Sequence, residues 1–274
     1  FGPERVRDTP ISETGFVGLA VGAAMAGLRP VVEIMFVDFA WVCMDQIANQ
    51  AAKLTYMYAG QVKVPVVVRA ACGAGMRAAA QHSQVLSSTF AHVPGLCVVM
   101  PSTPRDAKGL MKSAIRYDGP VVFLEHKALY SETGPVPPGD YTVPLGRARV
   151  AREGRDVTVV ATGLMVKRAL EAAEMVDASV EVVDLRTIHP MDREAVVRSV
   201  RKTGRLVVVD EDWGPFGVAA EVAAVVAEEA WDALRAPVKR VTPPHYPMPC
   251  SGPLEDFMVP DAERIAEAVG EVVG

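Results

Sequence analysis

Several common signatures are missing from the 274-residue chain, and each absence narrows its class. The four cysteines lie far apart and form no C-x-x-C pair, so the sequence indicates neither a disulfide framework nor a zinc site. The net charge is −5 without a long basic run, which predicts no nucleic-acid partner. No apolar stretch is long enough to cross a bilayer and the first residues show no signal-peptide pattern, so we expect a soluble protein of the reducing cytoplasm with no membrane partner.

The usual nucleotide and hydrolase motifs are also missing. There is no G-x-G-x-x-G after a strand, no G-x-x-x-x-G-K-[ST] and no G-x-S-x-G. A dinucleotide-binding, P-loop or serine-hydrolase enzyme would therefore lack its characteristic loop. Gly73-Ala74-Gly75 follows an apolar run, and the tripeptide is compatible with either a ligand loop or an ordinary tight turn.

The residues that are present predict an α/β protein. Half of them are hydrophobic and only 6% are aromatic, a composition typical of Ala/Val-rich globular chains. Helical patterns alternate with short, continuously apolar runs, which favours a doubly wound, mostly parallel sheet covered on both faces. In the first half we predict helices over 11–28, 44–58, 78–92 and 104–115, and strands over 31–37, 64–70, 96–100 and 121–124.

The segment from Thr133 to Gly146, TGPVPPGDYTVPLG, divides the chain. Its four prolines and three glycines leave neither a helical nor a strand period, which predicts a domain linker. We therefore expect domains over 1–133 and 147–274, joined by 134–146. The second domain reads as another α/β unit, with strands over 157–161, 180–185, 206–210 and 238–242 and helices over 166–176, 192–202, 217–234 and 261–272.

Glu13 stands at the start of the first predicted helix. A carboxylate there is commonly a surface residue that stabilises the helix dipole. The residues that follow are apolar on every face, so we expect this helix and its first turn to be buried, and a buried carboxylate needs a partner. The glycines at 15, 18 and 22 fit either close packing within the domain or contact between subunits.

His82 lies in a polar cluster, Gln81-His82-Ser83-Gln84, beyond a strand end where open α/β sheets bind ligands. Structural and catalytic roles are both open for this histidine. His92 lies in an amphipathic stretch and fits a structural role. His126, His189 and His245 each follow a strand and could line a cleft, but their spacing suggests no metal site.

Five segments of the sequence together carry a family resemblance. In chain order they are DTPISETGFVGLAVGAAMAGLRPVVEIMFVDF, AAQHSQ, PSTPRDAKGLMKSAI, VVDLRT and KTGRLVVVDED. They closely resemble the β subunit of the E1 component of thiamine-diphosphate-dependent 2-oxo acid dehydrogenase complexes, over essentially the whole chain. This family includes the pyruvate, acetoin and branched-chain enzymes. The resemblance implies a transketolase-like pyrimidine-binding domain followed by a transketolase C-terminal domain.

The resemblance also implies the roles of individual residues. Glu13 matches the glutamate that hydrogen-bonds the aminopyrimidine ring nitrogen of thiamine diphosphate and acts as an acid/base through the cofactor. Phe39 matches the aromatic residue packed against that ring, with Met35 beside it. His82 matches the histidine that orders the site and helps pass the acyl group to a lipoyl arm.

The Mg²⁺ half of a thiamine site is missing from this chain. Such enzymes hold the diphosphate through Mg²⁺ on a G-D-G run followed by Asn, whereas this sequence has only Gly139-Asp140-Tyr141, in the linker. The resemblance implies that an E1 α subunit supplies that half in an α₂β₂ heterotetramer. It implies a lipoyl-bearing E2 acyltransferase as a further partner, and no activity for the chain alone.

Two further expectations follow from the family. Its β subunits can hold a structural K⁺ on backbone carbonyls, although Arg116-Tyr117-Asp118-Gly119 departs from the usual R-D-N-N or R-D-N-D form. The family also has a helix and a strand ahead of the position matched by Phe1, which would complete the sheet edge. The matching K⁺ positions are Val66, Ala114, Ile115, Tyr117 and Gly119.

The expected function is oxidative decarboxylation or cleavage with acyl transfer to a lipoyl-E2. MFVDF and the Glu125-His126-Lys127 run resemble acetoin- and pyruvate-type subunits of the family, and the resemblance favours these substrates over branched-chain ones. One alternative is a two-component transketolase or acyloin synthase subunit that needs no lipoyl acceptor. A second alternative is a non-catalytic scaffold. The compartment is a bacterial-type cytoplasm, or the mitochondrial matrix if the source is eukaryotic.

Overall fold

Two five-stranded sheets flanked by helices make up the chain, and the computed structural model describes residues 1–274. The strands are β1 Val31–Ile34, β2 Val67–Cys72, β3 Cys97–Val99, β4 Val121–His126, β5 Arg149–Arg152, β6 Val157–Ala161, β7 Val180–Asp184, β8 Thr187–His189, β9 Leu206–Val209 and β10 Lys239–Val241. The α-helices are α1 Glu13–Met25, α2 Leu54–Met57, α3 Ser87–Ala91, α4 Pro104–Arg116, α5 Leu164–Ala173, α6 Arg193–Thr203, α7 Val218–Glu229, α8 Gly252–Met258 and α9 Ala262–Val273.

Parallel pairing dominates both sheets, which confirms the predicted α/β class. The first sheet has the order β1-β2-β4-β3-β8 and the second has the order β10-β9-β6-β7-β5. Their central strands are rich in valine and buried on both faces, as expected when helices cover a sheet from two sides. Residues 134–146, the predicted linker, contain no helix or strand.

Strand β8 joins the two halves of the chain, and the sequence did not predict it. It pairs antiparallel with β3, with Val98 opposite His189 and Val99 opposite Thr187. A three-residue strand is too short to show an alternating pattern, so only its pairing partner reveals it. The first sheet is therefore completed by a segment from the second half of the chain.

The predicted helix over 78–92 is mostly wrong, because only Ser87–Ala91 is helical. Arg77, Ala79 and Leu86 have positive φ angles, which no α-helix accommodates. The alanine run at 78–80 favours a helix by intrinsic propensity, and tertiary contacts override that preference. Residues 76–86 instead form a loop that leads from β2 to α3.

The region over 37–58 is helical but irregular. A 3₁₀ helix covers Val37–Cys43, so the predicted strand over 31–37 ends early at Ile34. A π-helix, Asp45–Ala51, and the short α2 replace the single predicted helix over 44–58. π-Helical turns are uncommon and are frequently found near functional sites.

No helix combines the length and apolarity required to span a membrane.

Candidate active site

The candidate site lies at the carboxyl edge of the first sheet, where the connections after β1, β2 and β4 meet. These three strands are parallel neighbours, so their carboxyl ends share one edge. The connection after β1 carries Phe36 and Phe39, the connection after β2 carries His82, and Lys127 directly follows β4. Open α/β sheets bind ligands at this kind of edge.

The imidazole of His82 packs edge-on against two phenylalanine rings. Its centroid lies 4.7 Å from that of Phe36 and 5.3 Å from that of Phe39, both in T-shaped geometry. The backbone carbonyl of His82 accepts a hydrogen bond from Nζ of Lys127, whose side chain is buried. Side chains from both neighbouring connections therefore fix the position of His82.

The loop that carries His82 is closed by further hydrogen bonds. Oδ1 of the buried Asp38 accepts from the backbone amide of Gln84 at 3.2 Å and from its Nε2 at 2.8 Å. The amide of Gly73 donates to the carbonyl of Gln84 at 2.9 Å. These contacts join the two ends of the loop and link it to the 3₁₀ helix Val37–Cys43.

A buried histidine–glutamate pair supports the Gly73-Ala74-Gly75 turn from beneath. Nε2 of His126 lies 2.7 Å from Oε2 of Glu211, whose Oε1 accepts from the amide of Ala74 at 2.7 Å. Nδ1 of His126 accepts from the amide of Ala128, so Nε2 carries the proton. Burial raises the pKa of Glu211, but His126, the Ala74 amide and Lys127 together lower it below its ordinary value. His126 is thus a buried structural residue and does not line a cleft.

A second buried glutamate holds the other side of the same turn. Oε1 of Glu255 accepts from the amide of Gly75, and its Oε2 accepts from the amide of Arg77 at 3.0 Å. The Arg77 guanidinium lies 3.1 Å from the same carboxylate oxygen. The turn is therefore a contact between the two halves of the chain, and the amides of Ala74 and Gly75 are already satisfied by protein carboxylates.

Glu13 begins α1 close to the 3₁₀ helix that carries Phe39. Oγ1 of Thr14 donates to the carbonyl of Val42 at 2.8 Å and ties the two elements together. Burial and the negative charge of Glu13 raise the pKa of the Cys43 thiol to about 11. The Glu13 carboxylate therefore lies within electrostatic reach of the segment that supplies Phe39.

The expectation that α1 is buried on every face is wrong for the chain alone. Its inner face is buried through Val17, Ala20, Val21 and Ala24, whereas Leu19 is 70% exposed. A Cβ built on Gly22 would meet no atom within 4 Å, so this glycine does not serve close packing within the domain. Because an outward apolar face needs a covering surface, the exposed stripe favours a subunit contact.

Three buried polar atoms near this edge have no hydrogen-bond partner within the chain. They are Oδ2 of Asp38, Oε1 of Gln46 and Oγ of Ser83. Asp38 is next to Phe39 in the chain, and Ser83 is next to His82. Buried polar groups are nearly always paired, so a group that lies outside this chain is expected to complete the site. The residues present therefore fit a site that a cofactor or a partner subunit finishes.

Met35 is 61% exposed at the end of β1, on the surface beside Phe36. Lys127, Phe36 and Asp38 also lie at this edge, and no sequence motif predicted a site role for them. The sequence held one indication of them, because MFVDF and Glu125-His126-Lys127 each stand at the end of a predicted strand.

The Asp140 carboxylate of the Gly139-Asp140-Tyr141 segment is paired with basic side chains and is not free to bind a metal ion. Lys112 and Arg116 lie 2.7 Å and 2.8 Å from the two carboxylate oxygens of Asp140. Hydrogen bonds from these two residues lower the pKa of Asp140 to about 2. Both oxygens are thus engaged in ion pairs on the surface.

The carbonyl cluster predicted for K⁺ is partly occupied by an arginine. Nη1 of Arg29 donates to the carbonyls of Ile115 and Tyr117, at 2.9 Å each. The carbonyl of Val66 accepts from Val121, and that of Ala114 accepts from Tyr117. The Arg29 guanidinium thus supplies positive charge at two of the five predicted positions, and the ion stays a prediction.

Comparison with family models assigns the class of the protein. Residues 1–133 match the transketolase pyrimidine-binding domain, and residues 146–265 match the transketolase C-terminal domain. A solved structure described as a split-gene transketolase, an inactive β4 tetramer, superposes with a TM-score of 0.82 at 28% identity. The match covers 99% of this chain and 84% of that one.

Curated relatives narrow the class to one family. The β subunit of acetoin:2,6-dichlorophenolindophenol oxidoreductase from Cupriavidus necator is 53% identical, over 97% of this chain and 79% of that protein. The pyruvate dehydrogenase E1 β subunit from Rickettsia conorii is 50% identical, over 99% of this chain and 84% of that protein. The chain belongs to the E1 β subunits of thiamine-diphosphate-dependent 2-oxo acid dehydrogenases.

Proposed function

We propose that this chain forms half of the active site of a dehydrogenase that acts on pyruvate or acetoin and transfers the acyl group to a lipoyl-bearing acyltransferase. The observation that carries the proposal is the convergence of the Glu13, Phe39 and His82 segments at one sheet edge. Relatives named for acetoin and for pyruvate have similar identities, 53% and 50%, so both substrates belong in the proposal.

Each residue has a distinct task at this edge. Thiamine diphosphate, when bound, supplies the electron sink for cleaving the bond beside the carbonyl group. The Glu13 carboxylate holds a proton at the pyrimidine ring nitrogen and so serves as an acid/base. Phe39 packs against the pyrimidine ring, with Met35 at the rim. His82 orients the acyl group and moves a proton during its transfer to the lipoyl arm.

An α subunit completes the site in this proposal, within an α₂β₂ assembly. It would hold the Mg²⁺ and the diphosphate, because Asp140 of this chain is committed to Lys112 and Arg116. The exposed face of α1 supplies unpartnered surface for such a contact. The buried atoms of Asp38, Gln46 and Ser83 that lack partners support a site that is incomplete within this chain. The related transketolase is described as inactive when only its β chains assemble.

Co-expression with an α partner tests the proposal. The complex is offered pyruvate, branched-chain 2-oxo acids and acetoin, with an isolated lipoyl domain as acceptor. We expect acylation of the lipoyl domain from pyruvate or acetoin, and none by the chain alone. Products made from an aldehyde acceptor without a lipoyl domain would instead indicate a transketolase or acyloin synthase. Failure of the complex to bind thiamine diphosphate in calorimetry would indicate a scaffold.

A further inference from the structure

Lys127 is a buried cation at the candidate site without a carboxylate partner in contact. Its side chain is almost fully buried, and its Nζ donates to the His82 carbonyl. The same Nζ lies 5.1 Å from the centroid of the Phe36 ring, within the range of a cation–π contact. Burying an ammonium group costs free energy unless the charge is paired and hydrogen-bonded. The buried position of Lys127 therefore calls for an explanation.

The surroundings of Lys127 connect it to the loop that carries His82. Phe36 contacts both the Lys127 ammonium and the His82 imidazole, so one ring separates and orients the two groups. The segment over 76–86 has no helix or strand to hold it in place. A charge-assisted hydrogen bond to the His82 carbonyl therefore restrains the loop at the residue whose side chain must be placed.

We propose that Lys127 is a positioning residue that sets the His82 imidazole for acyl transfer to the lipoyl arm. The proposal rests on the function proposed above and adds a residue to it. Lys127 acts through the His82 backbone and through Phe36, and it does not touch the reacting atoms. Its loss affects the later half of the reaction, in which His82 acts, more than the earlier half, which depends on Glu13.

The charge of Lys127 gives the proposal a pH dependence. Burial lowers the pKa of Lys127 below its ordinary value of 10.5. Asp38, Cys72, Glu211 and Glu255 are the acidic groups that face it, and they oppose that shift. As pH rises, the ammonium group loses its proton at a lower pH than an exposed lysine does. The hydrogen bond to His82 then weakens, because its donor is no longer charged.

The test uses the complex with the α partner and two assays. Reduction of a dye acceptor reports the early half of the reaction, and acylation of an isolated lipoyl domain reports the complete transfer. Lys127→Met removes the charge but keeps the apolar stem, and Lys127→Arg keeps a charge that does not titrate. Lys167→Met is the matched control, because Lys167 is an exposed lysine that pairs with Glu132.

We expect Lys127→Met to lower lipoyl acylation about tenfold while dye reduction stays within about twofold of wild type. Lys127→Arg should restore most of the acylation. In wild type the acylation rate should fall on the alkaline side below pH 10.5, and this limb should be absent in Lys127→Arg. Lys167→Met should behave as wild type in both assays.

Two results separate the possible failures. Wild-type acylation in Lys127→Met, or an equal loss in both assays with an alkaline limb unchanged in Lys127→Arg, overturns the positioning role alone. A wild-type complex that neither reduces the dye nor acylates the lipoyl domain overturns the proposed function, and the role of Lys127 with it.

Discussion

At the residue scale, Gly73 is the position where the backbone of the candidate site is most constrained. Its φ of +86° lies in the left-handed region, and a Cβ there would come 2.1 Å from Nε2 of His126. The His126–Glu211 pair cannot move aside without leaving buried polar groups unpaired. Only glycine therefore lets the turn lie directly on the imidazole.

Gly73→Ala should lower the free energy of unfolding by about 2 kcal/mol or more, because it adds both strain and overlap. Urea denaturation of the purified chain measures the change. Gly22→Ala is the matched control, since it adds a methyl group in open space on α1. A helix-interior glycine replaced by alanine should raise stability by about 0.5–1 kcal/mol. Equal stabilities for Gly73→Ala and wild type would contradict this account.

The site residues that the sequence indicated differ in how they act from those that only the structure brings to the site. Glu13, Phe39 and His82 stand in motifs whose residue types carry chemistry, so the family resemblance could indicate them. Lys127 and Asp38 act through the His82 loop, and their contacts cross from one strand connection to another. Such contacts follow no regular separation along the sequence, so they can be identified only once the strand order is known.

At the element scale, most strands and long helices were predictable because their hydrophobic periods are strong. The helix α4 was predicted to within one residue at its carboxyl end, where Tyr117 turns into extended backbone. The loop over 76–86 was not predictable, because its positive φ angles are imposed by contacts with Asp38 and Glu255. The outward face of α1 was misjudged, since an exposed apolar stripe on a helix resembles a core stripe in sequence.

The acidic run Asp210-Glu211-Asp212 follows β9, and the buried carboxylates of Asp210 and Asp212 contact neighbouring helices. Oδ2 of Asp212 accepts from the amide of Ser88, in the first turn of α3, while Oδ2 of Asp210 accepts from the amide of Ala219 in α7. Burial, followed by the charge of Asp212, raises the pKa of Asp210 from 3.8 to about 7.

Asp210 should therefore make the folded chain less stable as pH rises from about 4 to about 7. The folded state retains a proton on Asp210 over this range, whereas the unfolded state has lost it, so a higher pH favours unfolding. Asp210→Asn should remove this contribution and make the pH slope of the unfolding free energy less negative there. Denaturation curves measured across this range check the slope. Identical slopes for the variant and wild type would show that Asp210 titrates normally when folded.

At the scale of the whole molecule, we propose that another subunit completes the site on this chain. Its two halves are joined by β8 and by the glutamates that hold the Gly73 turn, so the β chain itself is one connected body. The candidate site, in contrast, leaves buried polar atoms of Asp38, Gln46 and Ser83 without partners in the chain. These contacts hold the segments of the proposed half-site on one framework within the chain.

The central claim is that Glu13 serves the cofactor at this edge, and Glu13→Gln in the reconstituted α₂β₂ complex tests it most directly. Acylation of a lipoyl domain from pyruvate or acetoin is measured beside Glu194→Gln, a matched control on an exposed face of α6. We predict a loss of about 100-fold or more for Glu13→Gln, because the amide cannot exchange a proton with the pyrimidine ring. The control should retain wild-type activity. Wild-type turnover by Glu13→Gln in a fully assembled complex would contradict the account.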